Sequence, residues 1–163
     1  MRSVIMEEPG KVVVEDRPMP TLLEPTDAVI KLAASCICGS DLWPYRGAQP
    51  VDHQQMGHEY IGEVIEVGDD VKTVKPGDFV VGSFCISCGE CATCQDGYPS
   101  RCLKAIAAGD GFIGMRSNGT QAEYARIPFA DGTLVKTPAY PTAEQIHLMA
   151  ASDVLGTGWY AAD

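Results

Sequence analysis

The stretch "YIGEVIEVGDDVKTVKPGDFVVGSF", residues 60–84, holds two segments rich in β-branched residues, divided by the turn-forming runs GDD and KPGD. Similar segments occur on both sides of it, at residues 3–6, 11–16, 27–35, 122–128 and 133–138. Short strands at such spacing are typical of an antiparallel barrel or sandwich. The sequence therefore predicts a domain that is mainly β, with short helices.

A cysteine-rich segment, "SCGECATCQDGYPSRC" at residues 87–102, follows this stretch with the spacing C-x2-C-x2-C-x7-C. Four thiolates that converge from tight turns close a tetrahedral zinc site. The four cysteines are Cys88, Cys91, Cys94 and Cys102. A bacterial ferredoxin motif begins in the same way, but its fourth cysteine follows after about three residues and precedes a proline. The longer final gap here predicts a structural zinc site, which leaves no open position for a substrate.

Charge and cysteine content limit the setting in which the chain works. The 22 acidic and 12 basic residues give a formal net charge of -10, which argues against a nucleic-acid or anionic-membrane partner. No apolar run near the start resembles a signal peptide, and none has the length of a transmembrane helix. The seven cysteines fit a reducing compartment, where clustered thiols are more often metal ligands than disulfides. We expect a cytoplasmic protein that binds neither nucleic acid nor a membrane.

A second candidate metal site combines "CICGSD", residues 36–41, with "GHEYIGEV", residues 57–64. Cys38 and His58 are good zinc ligands if the fold brings them together, and a site with three protein ligands keeps an open position for catalysis. Taken alone, each residue can also be interpreted as structural, because a single cysteine is often a small buried residue and a single histidine is often a hydrogen-bonded core residue.

A family resemblance connects these motifs. The run Gly57-His58-Glu59-x2-Gly62-x5-Gly68-x2-Val71 resembles the signature of the zinc-dependent medium-chain alcohol dehydrogenases. "CGSDL" at residues 38–42 is similar to the catalytic-cysteine motif of that family, and the four-cysteine segment resembles its structural zinc site. "GTQAEYARIP" and "SDVLGTGWYAA" are similar to its formaldehyde-dehydrogenase-like and polyol or secondary-alcohol branches. The motifs follow the family order along nearly the whole chain.

The resemblance implies a GroES-like antiparallel β-barrel over residues 1–153, with a zinc lobe inserted at about residues 85–103. Residues 154–163 would begin the connection to a Rossmann domain that binds NAD or NADP. The chain would then be the catalytic domain of a longer, homo-oligomeric enzyme that acts on a small alcohol or aldehyde. We expect the 163-residue chain to be inactive alone. The rival hypothesis is a non-enzymatic GroES-like zinc module that acts by self-association.

The resemblance also implies roles for particular residues. Cys38, His58 and Asp153 would bind a catalytic zinc ion, which polarises the substrate oxygen as a Lewis acid. Glu59 would be a further ligand that leaves when substrate arrives. Ser40 would bind the substrate oxygen and pass its proton outward, although a serine after Gly39 could instead cap a helix.

Two positions depart from the family pattern. The family often has a histidine five residues after the catalytic cysteine, where this chain has Trp43. An indole cannot take up a proton, so protons leave through water or Trp43 lines the substrate pocket. His53 is a possible substitute for this histidine, but its position in the sequence favours a surface-loop residue. Cys36 and Cys85 fit neither ligand set and are predicted to be packing residues or free thiols, with Cys85 a remote alternative for the lobe.

Two glycine strings, "GDGFIG" at 109–114 and "GTGWYA" at 156–161, resemble dinucleotide-binding loops, but neither lies between a strand and a helix as such a loop requires. We predict loop or helix-start glycines at both. "PTAEQIHLMAASDV", residues 141–154, has helical spacing, and Thr142 and Gln145 have the spacing of a capping box.

Overall fold

A computed structural model of the chain describes residues 1–109, 111–113, 119–137 and 143–162. The strands in these ranges are β1 Arg2–Glu8, β2 Lys11–Asp16, β3 Ala28–Ser35, β4 Gln54–Gln55, β5 Tyr60–Val67, β6 Phe79–Gly82, β7 Tyr124–Ile127 and β8 Leu134–Lys136. The α-helices are α1 Leu42–Tyr45, α2 Ala92–Gln95, α3 Leu103–Ala107, α4 Ala130–Thr133 and α5 Val154–Ala162. Three 3-10 helices complete the set: η1 Gly39–Asp41, η2 Pro99–Arg101 and η3 Ala143–Ser152.

The strands form two antiparallel sheets. One has the order β2-β1-β4, and the other has the order β7-β3-β5-β6-β8. A bridge from Ser3 to Ala122 connects β1 to the segment before β7. Every segment that was predicted from β-branched residues contains a strand, so the prediction of a mainly β domain with short helices is confirmed.

The main core lies on one face of the five-stranded sheet. Its central side chains come from neighbouring strands and are fully buried: Ile30, Val64, Val80 and Ile127. The cysteine lobe packs against the same core through Cys88 and Cys102. Burial of these β-branched side chains is the main stabilising contribution to the sheet, and it fixes the ends of the strands that carry the candidate site.

A smaller core cluster joins η3 to the sheet. Met149 packs against Ile61, Phe79 and Val81, and therefore covers one face of the sheet at the interior strands β5 and β6. The predicted helix over residues 141–154 is a 3-10 helix that ends at Ser152, and α5 begins at Val154. At the break, the Ser152 carbonyl accepts a hydrogen bond from the Phe84 amide at 3.3 Å, so this backbone group bonds outside the helix.

Some predicted features fall partly outside the described residues. Thr142 lies outside them, as does the side chain of Gln145, so the capping box is not part of the described structure. Within "GDGFIG" the structure describes residue 109 and residues 111–113, where Phe112 bridges to Cys85. "GTGWYA" lies inside α5 and follows a 3-10 helix, which agrees with the prediction of helix glycines. In the described ranges, no helix has the length and apolar character needed to cross a membrane.

Candidate metal centres

The structure brings the four lobe cysteines together. Their sulfur atoms all lie within 4.8 Å of one another. Cys91 Sγ lies 3.4 Å from Cys94 Sγ and 3.9 Å from Cys102 Sγ. The cluster is held between α2, η2 and α3, three short elements that present the cysteines from their ends. All seven cysteines of the chain are free thiols, so every lobe sulfur is available as a ligand.

Hydrogen bonds in the lobe favour thiolates. The amides of Cys91 and Cys88 donate to Cys88 Sγ and Cys102 Sγ, each at 3.3 Å. The Thr93 hydroxyl and the Cys94 amide lower the pKa of Cys91 to about 5, whereas burial and the neighbouring Cys91 raise the pKa of Cys94. Four adjacent thiolates repel one another unless a cation lies between them. Four convergent sulfurs with amide donors therefore fit a structural zinc ion.

A second cluster forms where three separate parts of the chain meet. Cys38 precedes η1, His58 and Glu59 precede β5, and Asp153 lies between η3 and α5. One ligand atom from each of these four residues lies within 4.8 Å of the others. The glycine before His58 is required here. It has a φ of +96°, and a Cβ at position 57 would lie 2.5 Å from the amide nitrogen of Gln121.

The distances and burial in this cluster suit a divalent cation. Asp153 Oδ2 lies 3.6 Å from His58 Nε2 and 3.7 Å from Cys38 Sγ. The side chains of His58 and Asp153 are 15% and 13% exposed, and Glu59 is 4% exposed. Carboxylates and a thiol that are gathered away from water need a positive counter-charge. A sulfur, an imidazole nitrogen and carboxylate oxygens are the donors that zinc prefers, so these residues fit that ion.

The site also uses Asp41, to which sequence reasoning gave no role. Its Oδ2 accepts a hydrogen bond from the Cys38 amide at 2.8 Å, and its Oδ1 lies 3.9 Å from His58 Nδ1. One carboxylate thus fixes the loop of one ligand and faces the ring of another. A carboxylate behind a ligating histidine orients the ring and sets its tautomer. The available signal was the capping-box position of Asp41, three residues after Cys38.

Ser40 lies beside the cluster. Its Oγ lies 3.5 Å from His58 Nε2, and the residue is exposed. The alternative that Ser40 caps a helix is wrong, because the N-cap of η1 is Cys38 and Ser40 lies inside the element. The hydroxyl is therefore free of a capping role and faces both the cluster and solvent.

A cavity of about 380 Å³ opens over the cluster. Its lining includes Cys38, Ser40, His58 and Asp153 of the cluster region. The rest of the wall is mixed: apolar side chains come from Met6, Val51, Met56, Phe84, Phe112 and Ile113, and amides come from Gln49, Gln54 and Gln55. Phe84 and Phe112 stack with ring centroids 5.7 Å apart, and Phe84 meets the His58 ring edge-on at 6.2 Å. The cavity therefore joins a group of metal-type ligands to a chamber that has both aromatic and amide walls.

The other residues that the sequence singled out belong to neither cluster. Trp43 is 58% exposed and is not part of the cavity wall. His53 directly precedes β4, and its Nε2 is 3.0 Å from Glu15 Oε2 of β2. Cys85 is buried, and its burial together with the charge of Asp153 raises its pKa to about 11. Cys36 packs at the margin of the smaller core cluster.

Comparison with known families identifies the fold. The family model described as the alcohol dehydrogenase GroES-like domain matches residues 24–139. The chain belongs to this family. Residues 24–139 of this GroES-like domain include Cys38, His58 and Glu59 and all four lobe cysteines.

Relatives of the GroES-like domain are similar over almost its whole length. "Zinc-type alcohol dehydrogenase B" of Aspergillus flavus is 44% identical over 163 residues, which are 99% of this chain and 37% of the relative. "Glutathione-independent formaldehyde dehydrogenase" of Pseudomonas aeruginosa is 37% identical over 175 residues, 99% of this chain and 44% of the relative. The solved structure of alcohol dehydrogenase TADH from Thermus sp. ATN1 has a TM-score of 0.86 at 35% identity, covering 98% of this chain and 46% of that one. The chain thus spans less than half the length of these three proteins.

Proposed function

We propose that this GroES-like domain is the zinc-bearing catalytic domain of an NAD(P)-linked alcohol dehydrogenase. The observation that carries the proposal is the convergence of Cys38, His58 and Asp153 in the wall of the cavity. A purely structural module has no use for a metal cluster that opens into a cavity, so the same observation argues against the self-association hypothesis.

The residues of the site have different proposed roles in the reaction. Zinc, when bound by Cys38, His58 and Asp153, supplies Lewis-acid polarisation of an alcohol or aldehyde oxygen, and the nicotinamide, when bound, accepts or donates the hydride. Glu59 would supply a fourth protein ligand when no substrate is bound. Asp41 faces Nδ1 of His58, which favours the tautomer that leaves Nε2 free as the ligand atom.

Ser40 handles the proton. Its hydroxyl lies beside His58 Nε2, and the residue is exposed, so it can accept the alcohol proton while it donates its own proton to water. This route does not need Trp43, whose indole has no acceptor nitrogen and lies outside the cavity wall. We therefore favour proton release from Ser40 directly to water over a relay through a second side chain.

The cavity wall favours alcohols and aldehydes with an apolar body. Phe84 and Phe112 present a stacked aromatic surface, and apolar atoms of the substrate gain free energy when they leave water for such a surface. The reacting oxygen would then lie beside Ser40 and the metal ligands.

The nicotinamide site is proposed to belong to a longer protein. Each relative described above is more than twice as long as this chain. Leu155, Trp159 and Tyr160 of α5 are exposed, which supports our proposal that residues 154–163 lead into a further domain that packs there. On this proposal the isolated chain binds metal but oxidises little alcohol, and the longer enzyme is a homo-oligomer. The free thiols of both clusters suit the reducing cytoplasm.

Cobalt spectroscopy tests the proposed function directly. With zinc in the lobe and Co²⁺ in the second cluster, we expect a primary alcohol with an apolar body to shift the visible Co²⁺ absorption, because its oxygen reaches the ion through the cavity. Ethylene glycol is a control with a reacting oxygen but no apolar body. A Co²⁺ spectrum that no alcohol or aldehyde alters would contradict the proposal and favour the non-enzymatic module.

A further inference from the structure

Ser152 makes an unusual set of contacts for a residue at the end of a 3-10 helix. Its side chain is buried, with 3% of the residue exposed. Its Oγ accepts a hydrogen bond from the Tyr60 amide at 3.1 Å and donates one to the Gly82 carbonyl at 2.5 Å. Its own carbonyl accepts from the Phe84 amide at 3.3 Å. One residue thus makes three hydrogen bonds to two parts of the sheet.

The hydroxyl lies where β5 and β6 meet. Tyr60 and Gly82 are partners in the antiparallel register of these strands, so Ser152 Oγ connects two residues that oppose each other. Gly82 makes this arrangement possible, because a Cβ there would lie about 2 Å from the ring of Tyr60. The Tyr60 amide and the Gly82 carbonyl both use the hydroxyl as a partner, and loss of a hydrogen-bond partner from a buried polar group is costly.

The position of this contact links the candidate ligands. Tyr60 directly follows His58 and Glu59, and Ser152 directly precedes Asp153. The hydroxyl therefore ties the backbone beside two ligands to the backbone beside the third. Thr157 completes the arrangement, since its Oγ1 donates to Asp153 Oδ1 at 3.0 Å and leaves Oδ2 facing His58 and Cys38.

We propose that Ser152 is a positioning residue for the metal site: its hydroxyl holds Asp153 at the distance from His58 and Cys38 at which all three can bind one ion. The inference rests on the proposed function, because it takes the second cluster to be a metal site. It adds a role for a residue that binds neither metal nor substrate.

The test measures metal affinity at the second cluster in the 163-residue chain. The lobe is first filled with zinc, and Co²⁺ is then titrated while its visible absorption is followed. We expect Ser152→Ala to weaken Co²⁺ binding on the order of 10- to 100-fold, the usual effect of removing a partner that orients a ligand. An affinity within about twofold of the parent chain would overturn the inference.

Ser87→Ala is the matched control. Ser87 is also 3% exposed, and its hydroxyl also donates to a glycine carbonyl, that of Gly132, at 2.6 Å. It lies beside the lobe and not beside the second cluster, so its loss should leave Co²⁺ affinity at that cluster unchanged. An equal loss in both variants would mean that any missing buried hydroxyl weakens the site, and would overturn the specific role of Ser152.

A double-mutant cycle separates positioning from general stability. Asp153→Ala should itself weaken Co²⁺ binding, and Ser152→Ala should weaken it no further in that background, although it should still lower the unfolding temperature. If Ser152→Ala lowers the Co²⁺ affinity by the same factor in both backgrounds, the inference about Ser152 is wrong, while the proposed ligand set still stands. If Asp153→Ala leaves the affinity unchanged, the proposed ligand set itself is wrong.

Hydrogen exchange provides a measurement on the unaltered chain, which decides the matter if Ser152→Ala does not fold. Because linkage is reciprocal, metal at the second cluster should slow hydrogen exchange of the Tyr60 amide, which donates its hydrogen bond to Ser152 Oγ. The Ser87 amide, which donates to the Thr133 hydroxyl at 3.2 Å, is the control and should not change. A Tyr60 amide whose exchange is unaffected by metal would overturn the inference.

Discussion

His58 Nε2 and Asp153 Oδ2 lie 3.6 Å apart, although one residue precedes the central strand β5 and the other follows the last 3-10 helix of the chain. Both side chains are largely buried. Neither the sheet nor the helix alone brings them together. Their meeting depends on η3 packing against β5 and β6 through Met149, and it brings together side chains that we propose as ligands of one zinc ion.

The two clusters should bind metal independently. We expect two zinc ions per fully loaded chain, with Cys38→Ala removing one and Cys94→Ala removing the other, because the clusters share no ligand. Metal analysis by mass spectrometry after gel filtration measures the stoichiometry. Cys36→Ala is the control, since Cys36 belongs to neither cluster. A single zinc ion in the fully loaded parent chain, unaffected by Cys38→Ala, would rule out the second site.

Replacing Asp41 should weaken only the second site. Asp41→Asn keeps an acceptor for the Cys38 amide but removes the negative charge that faces His58 Nδ1, so we expect metal affinity there to fall roughly 10-fold. Competition with a chelator measures the affinity. Asp131→Asn is the control, because Asp131 also accepts backbone amides, from Lys72 and Thr73, but lines a cavity that contains no residue of the second cluster. Equal effects of the two substitutions would refute an orienting role for Asp41.

The buried pair of Asp27 and Arg126 should matter more to stability than an exposed pair. Arg126 Nη1 lies 2.8 Å from Asp27 Oδ2, and the two side chains are 14% and 1% exposed. Asp27→Ala leaves a buried guanidinium and two amides without their acceptor, so we expect a loss of about 3–5 kcal/mol in the free energy of unfolding. Urea denaturation measures it.

Glu123→Ala is the control for that substitution. It breaks the exposed ion pair with Arg2 and should cost no more than about 1 kcal/mol. If the two substitutions lower the free energy of unfolding by the same amount, burial does not set the contribution of these ion pairs to stability.

The contribution of Asp78 should depend on pH. The hydrogen bond from Lys136, together with the amide of Lys75, lowers the pKa of Asp78 below its ordinary value of 3.8. A carboxyl with a lowered pKa in the folded state stabilises the protein above its unfolded pKa, and this stability is lost as the pH falls through the folded pKa. Asp78→Asn should therefore be less stable than the parent chain near neutral pH, and the difference should shrink below pH 3.8. Urea midpoints across this range measure it, and a difference that grows on acidification would contradict the assignment.

Local sequence patterns were sufficient for the strands and for the lobe. "KVVVED" predicts β2, and β2 spans Lys11–Asp16, because β-branched residues between turn signals have few alternatives to a strand. The lobe cysteines are close in sequence, so short turns alone bring them within reach of one ion. Helical spacing failed to predict the 3-10 form of η3. The last residue of η3, Ser152, bonds through its carbonyl to the Phe84 amide and through its hydroxyl to β5 and β6, and helical spacing does not encode such contacts between distant residues.

The second cluster shows which features of the site follow from the sequence and which depend on the tertiary structure. Family motifs predicted Cys38, His58, Glu59 and Asp153 as ligands, and the structure brings these four residues together. The sequence did not reveal that Asp41 faces His58, that Trp43 lies outside the cavity wall, or that the Ser152 hydroxyl ties Asp153 to β5 and β6. These contacts join residues that are distant in the chain, and their distances are fixed only when the sheet and η3 bury their apolar faces together.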